Sequence, residues 1–191
     1  MSTSVAIFKH WKILNAGSLT VNSQIIKLYG SRSLQQTFKL RKFTPKDLER
    51  VTYINRTCLP ENYSDYFFMD LYERFPETFI VAEENGEIIG YIMCRIETGL
   101  SNFGFGGFIK KGHIVSVAVM PQHRRKGIGE ALVTKAMEGM RLYNAKQCFL
   151  EVRVTNMSAI SLYKKLGFKI TRTIHGYYSD GEDAYVMSRA L

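Results

Sequence analysis

At 191 residues, with 46% hydrophobic and 23% charged residues, the chain has the proportions of one soluble globular domain with a core of its own. No apolar run approaches the roughly 18 residues of a membrane span, and Cys58, Cys94 and Cys148 form neither a disulfide framework nor a CxxC metal spacing, which points to buried or half-buried thiols in a reducing cytoplasm. The net charge of +9 is uneven: residues 1–46 carry eight Lys or Arg and no acid, whereas the remaining 145 carry 18 basic and 17 acidic side chains.

The basicity therefore belongs to an N-terminal arm. Such an arm could touch RNA, a ribosome or a membrane surface, or simply be a solvated extension. Its first residues, MSTSVAIFKHWKIL, have no unbroken apolar stretch and no small-residue cleavage site, so a secretory signal is not expected.

From Phe38 the pattern sharpens. FKLRKF alternates as a strand. Thr44-Pro45-Lys46-Asp47 then supplies an N-cap, a proline for the first helical position and an acid for the first turn, and Leu48, Val51, Ile54 and Leu59 continue an apolar helical face. Pro60 breaks this helix, and SDYFFMDLYERF predicts a second short one from Ser64. TFIVAEE and EIIGYIMCRIE read as strands joined at Asn85-Gly86, a hairpin signal. A glycine-rich loop is predicted over 99–108. GHIVSVAVM has the little alternation of a strand buried on both faces. PQHRRKG is a basic turn, IGEALVTKAMEGMRLY a helix and QCFLEVRV a strand. NMSAISLYKKLGF is a helix closed by Gly167, and FKITRTIHGYY and DAYVMSRAL are strands joined by a turn at Ser179–Glu182. This order, β-α-α-β-β-β-α-β-α-β-β, predicts α/β architecture: one mixed central β-sheet with helices on both faces.

The strongest local motif is Arg124-Arg125-Lys126-Gly127-Ile128-Gly129, between a buried strand and a helix. Unpaired N–H groups at a helix start carry the positive end of its dipole, and glycines let that backbone approach a pyrophosphate. A second element follows: Asn156, Ala159, Leu162, Tyr163, Lys165, Gly167 and Phe168 in one helix-forming stretch. Taken alone, Asn156 suits an N-cap and Tyr163 a core position. Together, the two motifs resemble the coenzyme A turn and the N-x-x-A-x-x-L-Y-x-K-x-G-F signature of GNAT acetyltransferases.

The resemblance narrows on four further stretches: Leu59-Pro60-Glu61-Asn62-Tyr63, Gly112 to Val119, Leu150 to Val154, and Gly176 to Tyr185. The first, second and fourth are similar to the peptide-binding loop, central strand and last hairpin of archaeal N-terminal acetyltransferases, relatives of the NatA catalytic subunit and of the bacterial enzyme RimI, and the third precedes Asn156. The likeness covers 38–191 and leaves 1–37 as a basic extension. It implies a GNAT fold with a splayed parallel strand pair. It also implies acetyl-CoA as cosubstrate, held by Val117, Ala118, Val119, residues Arg124 to Glu130, Asn156 and Tyr163. Protein N-termini, starting with Ser, Ala, Thr or Met, would be the substrates. Leu59, Pro60, Glu61, Tyr63, Tyr177 and Tyr178 would bind them. Glu61, or His113 with Glu151, would take the amine proton, and Tyr163 would protonate the leaving thiolate.

His113 and Glu151 sit on predicted neighbouring strands, but two ligands are too few to argue for a metal. Two other readings stand beside this one. One is a GNAT enzyme acting on lysine or a small amine; the other is a GNAT-fold protein that docks on RNA or a ribosome without catalysis.

Overall fold

The computed structural model describes residues 38–104 and 107–191. The basic arm, 1–37, and its reading as an RNA- or ribosome-docking element lie outside the described residues. No helix among the described residues is long and apolar enough to cross a membrane.

Strand β1 (Lys39–Lys42) leads through a 3-10 turn (Pro45–Asp47) into helix α1 (Leu48–Cys58). Proline and the reciprocal Thr44–Asp47 capping box favour the entry expected from the sequence, but its first turn is 3-10 before the α-helix begins. Leu59 sits one residue beyond the helix, with extended backbone. Helix α2 (Asp65–Arg74) starts where Ser64 Oγ accepts the Phe67 N–H at 3.3 Å. Strands β2 (Ile80–Glu84) and β3 (Glu87–Leu100) meet at Asn85-Gly86, whose φ values of 52° and 82° give the left-handed pair that a two-residue hairpin needs. Then follow β4 (Phe108–Val119), α3 (Ile128–Leu142), β5 (Gln147–Arg153), α4 (Met157–Lys165), β6 (Lys169–Ile174) and β7 (Ala184–Ala190).

The seven strands form one mixed sheet in the order β1-β2-β3-β4-β5-β7-β6. Two core clusters lie on its two faces. One joins Val51, Ile54, Phe68 and Leu71 of α1 and α2 to Val81, Tyr91 and Met93. The other joins Leu132, Ala136 and Met140 of α3, with Ile160 and Tyr163 of α4, to Ile92, Cys94 and Leu150. Alternation along β3 supplies both, since successive side chains point to opposite faces. Cys94 and Cys148 are buried and Cys58 is half-buried, all as free thiols.

Three expectations are corrected. Gly99, Leu100 and Phe108 belong to β3 and β4 and pair across the hairpin, so the glycine-rich loop is shorter than 99–108. The strand after α4 ends at Ile174, because Asp183 draws the chain into a turn by accepting from Gly176 N–H and meeting His175 Nδ1; Tyr177 and Tyr178 therefore stand in the β6–β7 loop, not in a strand. Nor is β4 buried on both faces throughout, for Val115, Val117 and Val119 are only half-buried.

That last difference has a backbone cause. Strands β4 and β5 are parallel but pair only from Lys111–Gln147 to His113–Phe149. Beyond His113, the register with β3 shifts so that Met93 faces Ser116 while Cys94 faces Ile114, leaving Val115 as an extra residue in a bulge. A bulge bends and twists its strand, and the two strands separate from there on.

Candidate active site

The opening between β4 and β5 is a cleft of about 1120 Å³. All but one of the residues given a catalytic or binding role from the sequence line it: Leu59, Pro60, Glu61, Tyr63, His113, Val117, Ala118, Val119, Arg124, Arg125, Gly127, Ile128, Gly129, Glu130, Glu151, Asn156, Tyr163, Tyr177 and Tyr178. The exception is Lys126, which is exposed outside the lining.

The wall made by β4 is a free backbone edge. Met120 N–H donates to Ile89 C=O in β3 at 2.9 Å, so the preceding Val119 carbonyl faces the other way. There it accepts from Arg124 Nε at 3.0 Å, and four residues back the Val115 carbonyl accepts from the Tyr63 hydroxyl at 3.4 Å. Backbone groups alternate along a strand, so the N–H groups of Val117 and Val119 also point into the gap.

At one end of the cleft lies the turn into α3. Gly127 is the N-cap at φ 80°, and the residue before Lys126, Arg125, also has φ 64°. The first helical bond runs from Ala131 N–H to Gly127 C=O, so the N–H groups of 128–130 precede it, and the dipole's positive end faces the cleft beside Arg124 and Arg125. Glu130 is paired with Lys165 of α4. Asn156 caps α4: its Oδ1 accepts the Ala159 N–H at 3.1 Å. The cap leaves the amide Nδ2 as the donor this cleft-lining side chain can offer. Tyr163 is both a core residue, tilted against Phe168 at 5.7 Å, and part of the lining; burial holds its phenol well above the usual tyrosine range.

The other end is rich in carboxylates and tyrosines. His113 stacks on Phe149 at 4.5 Å between centroids, and its Nε2 meets Glu151 Oε2 at 2.7 Å. If the shared proton is on Nε2, the buried Nδ1, which has no protein partner, is the lone-pair nitrogen. Glu61 is not a free carboxylate. Its Oε1 accepts from Arg153 Nη2 at 2.7 Å, and Arg153 Nη1 also donates to Asp180 and Glu182, each at 2.7 Å. The guanidinium lies 3.9 Å from the Tyr178 ring centre. Arg153 thus ties the 59–63 loop to the β6–β7 loop. The Glu182 carboxyl is held below the usual range by the Thr155 hydroxyl and then by Arg153, and Asp180 by the Glu182 N–H and then by Arg153. Burial raises the phenols of Tyr63, Tyr177 and Tyr178, so all three stay protonated donors at neutral pH.

Arg153 was not among the sequence candidates. Its signal was available: a cation at the end of an apolar strand, in a sequence whose last hairpin carries Asp180 and Glu182. Among the described residues, no group of three His, Cys, Asp or Glu side chains could hold a metal ion.

Residues 48–168 match the family described as acetyltransferase (GNAT) family. An N-alpha-acetyltransferase of Sulfurisphaera tokodaii is 49% identical over 156 residues, covering 81% of this chain and 93% of the relative. The crystal structure of Ard1 from Thermoplasma volcanium superposes with a TM-score of 0.70 at 35% identity, over 81% of this chain and 98% of that one. Arabidopsis thaliana Naa50, solved with the bisubstrate analogue CoA-Ac-MVNAL, gives a TM-score of 0.70 at 29% identity, over 81% of this chain and 99% of its own.

Proposed function

Because the chain belongs to the GNAT acetyltransferase family, we propose that it transfers the acetyl group of acetyl-CoA directly to the α-amino group of protein N-termini. One observation carries the reading furthest. A single cleft runs from a helix start with free N–H groups beside Arg124 and Arg125, past an unpaired strand edge, to an end lined by carboxylates and tyrosines. A diphosphate suits the first, a thioester carbonyl the second and the ammonium and first peptide groups of a protein N-terminus the third. The N-alpha-acetyltransferase relative and the peptide-bearing analogue on Naa50 support the same assignment.

Acetyl-CoA supplies an acyl group already activated as a thioester. The turn at 124–130 binds the pyrophosphate, and the Asn156 amide and the β4 edge hold the pantetheine arm. The Val117 and Val119 N–H groups orient the thioester carbonyl and stabilise the charge that develops on its oxygen. A protein α-amine has a pKa of about 7.7–8.0 against about 10.4 for lysine, so near neutrality it needs little help to lose its proton. Two routes stand ready for that proton, each through a water. One is Glu61, through the oxygen not given to Arg153. The other is the His113–Glu151 pair, joined at 2.7 Å, with Glu151 lining the cleft. Tyr163, kept protonated by burial, gives its proton to the departing sulfur. Tyr63, Tyr177 and Tyr178 hold the first backbone groups of the peptide. Much of the acceleration comes from holding the two substrates in contact.

Two routes predict a crossed pattern. Large second residues crowd the Glu61 side, so Glu61→Ala should lower kcat/KM about fivefold more for a Met-Leu peptide than for Ser or Ala peptides, and His113→Ala should do the reverse. Steady-state kinetics of both variants on both peptide types decide it. Equal losses would mean one shared base, and no transfer by the wild type to either peptide would end the assignment.

A further inference from the structure

The 59–63 loop is held from two directions, and only one of them is in the cleft. There Arg153 holds Glu61 and the Tyr63 hydroxyl donates to the Val115 carbonyl. The loop's backbone hold comes from beneath: Asn55, on the inner face of α1 and only 1% exposed, donates its Nδ2 to the Glu61 carbonyl at 3.1 Å. The Asn55 main-chain carbonyl meanwhile accepts the Leu59 N–H at 2.9 Å, closing the helix. One residue therefore fixes both where α1 stops and how high the next turn of chain rides. Asn55 does not line the cleft.

The polar chain continues inward. The Tyr91 hydroxyl, fully buried on β3, meets Ser116 Oγ at 2.7 Å and faces the Asn55 side chain as well. Ser116 is the β4 residue between Val115, whose carbonyl takes the Tyr63 hydroxyl, and Val117, whose N–H enters the gap. Three polar side chains buried in an apolar layer are costly unless bonded to one another. An aliphatic residue at position 55 would fill the same space without that cost, so packing alone does not call for the amide.

We infer that Asn55 is a positioning residue for the peptide substrate: through the Glu61 carbonyl it sets the peptide loop against the β4 edge, with Tyr91 and Ser116 as its support. This rests on the reading of residues 59–63 as the loop that receives the acceptor. Its effect is on acceptor binding and orientation; acetyl-CoA affinity rests mainly on the pyrophosphate turn at 124–130, at the far end of the cleft.

The test uses the full chain with Asn55→Ala and Tyr91→Phe, the second removing one hydroxyl and little volume. The readouts are peptide KM and kcat, acetyl-CoA Kd by calorimetry, and Tm. Asn55→Ala is expected to raise peptide KM about tenfold while acetyl-CoA Kd stays within about twofold, and Tyr91→Phe to shift the same ratio about threefold. The double variant should lose less than the product of the two, because the Tyr91 hydroxyl and the Asn55 side chain face each other in one buried polar layer. Peptide KM unchanged in Tyr91→Phe and in any folded Asn55 variant would overturn the inference. So would a parallel loss of acetyl-CoA affinity, which marks general loosening. A wild type that acetylates only lysine side chains would refute the functional assignment instead; the Asn55 effect would then be read on that acceptor and judged by the same ratio.

Discussion

Gly127→Glu is expected to remove measurable acetyl-CoA binding, weakening it by about 100-fold or more, in a protein that still folds. Two causes act together. Gly127 has φ 80°, a conformation that costs an L-residue about 1–2 kcal/mol. A carboxylate there would also stand at the helix start, beside the position proposed for the pyrophosphate, and like charges close together cost several kcal/mol. Gly127→Ala separates the causes. A Cβ at this position meets nothing within 4 Å, so alanine strains the backbone without a clash. Calorimetry should show a modest loss for alanine and a near-complete loss for glutamate. Wild-type affinity in a folded Gly127→Glu protein would place the pyrophosphate elsewhere.

Tyr163→Phe should lower kcat by about 10-fold to 100-fold, toward the lower end of what a general acid contributes. The ring packs in the core against Phe168 and loses nothing by the change, so Tm should move little. Burial holds the phenol above its ordinary range, which makes it a weaker acid than a free tyrosine. A thiol pKa of about 8.5 lies below that of a tyrosine, so the transfer runs uphill and depends on the hydroxyl being held against the sulfur as the C–S bond breaks. The informative comparison is with a cosubstrate carrying a better leaving group: the deficit should shrink as the thiolate needs the proton less. A normal kcat would return Tyr163 to a packing role.

Much of this site was legible before any fold was known, and the reasons are local. The turn 124–129 stands out because a basic, glycine-containing strand–helix junction suits a phosphate; taken alone it reads equally well as a solvated loop, and the Asn156–Phe168 motif decides between the two. Asn85-Gly86 and the Thr44–Asp47 capping box are likewise set by neighbours in sequence. What was not legible is what depends on distant partners. Whether Glu61 is free or bound is decided by Arg153, 92 residues away. Asn55 reads as one more polar residue in a helix until the Glu61 carbonyl is found above it. The end of β6 at Ile174 depends on Asp183 reaching back to Gly176. The bulge at Val115 leaves no mark in an unbroken run of strand-forming residues, although it parts the two strands that frame the cleft.

The central claim is the identity of the accepting nitrogen. A peptide with a free N-terminal serine and one internal lysine, incubated with the full chain and acetyl-CoA, offers both amines at once. Fragmentation of the product by tandem mass spectrometry places the added acetyl group. The acid- and tyrosine-lined end of the cleft, with an α-amine far nearer neutrality than a lysine, predicts modification on the first residue and an unmodified lysine. Acetyl groups on the lysine, with the N-terminus left free, would contradict it.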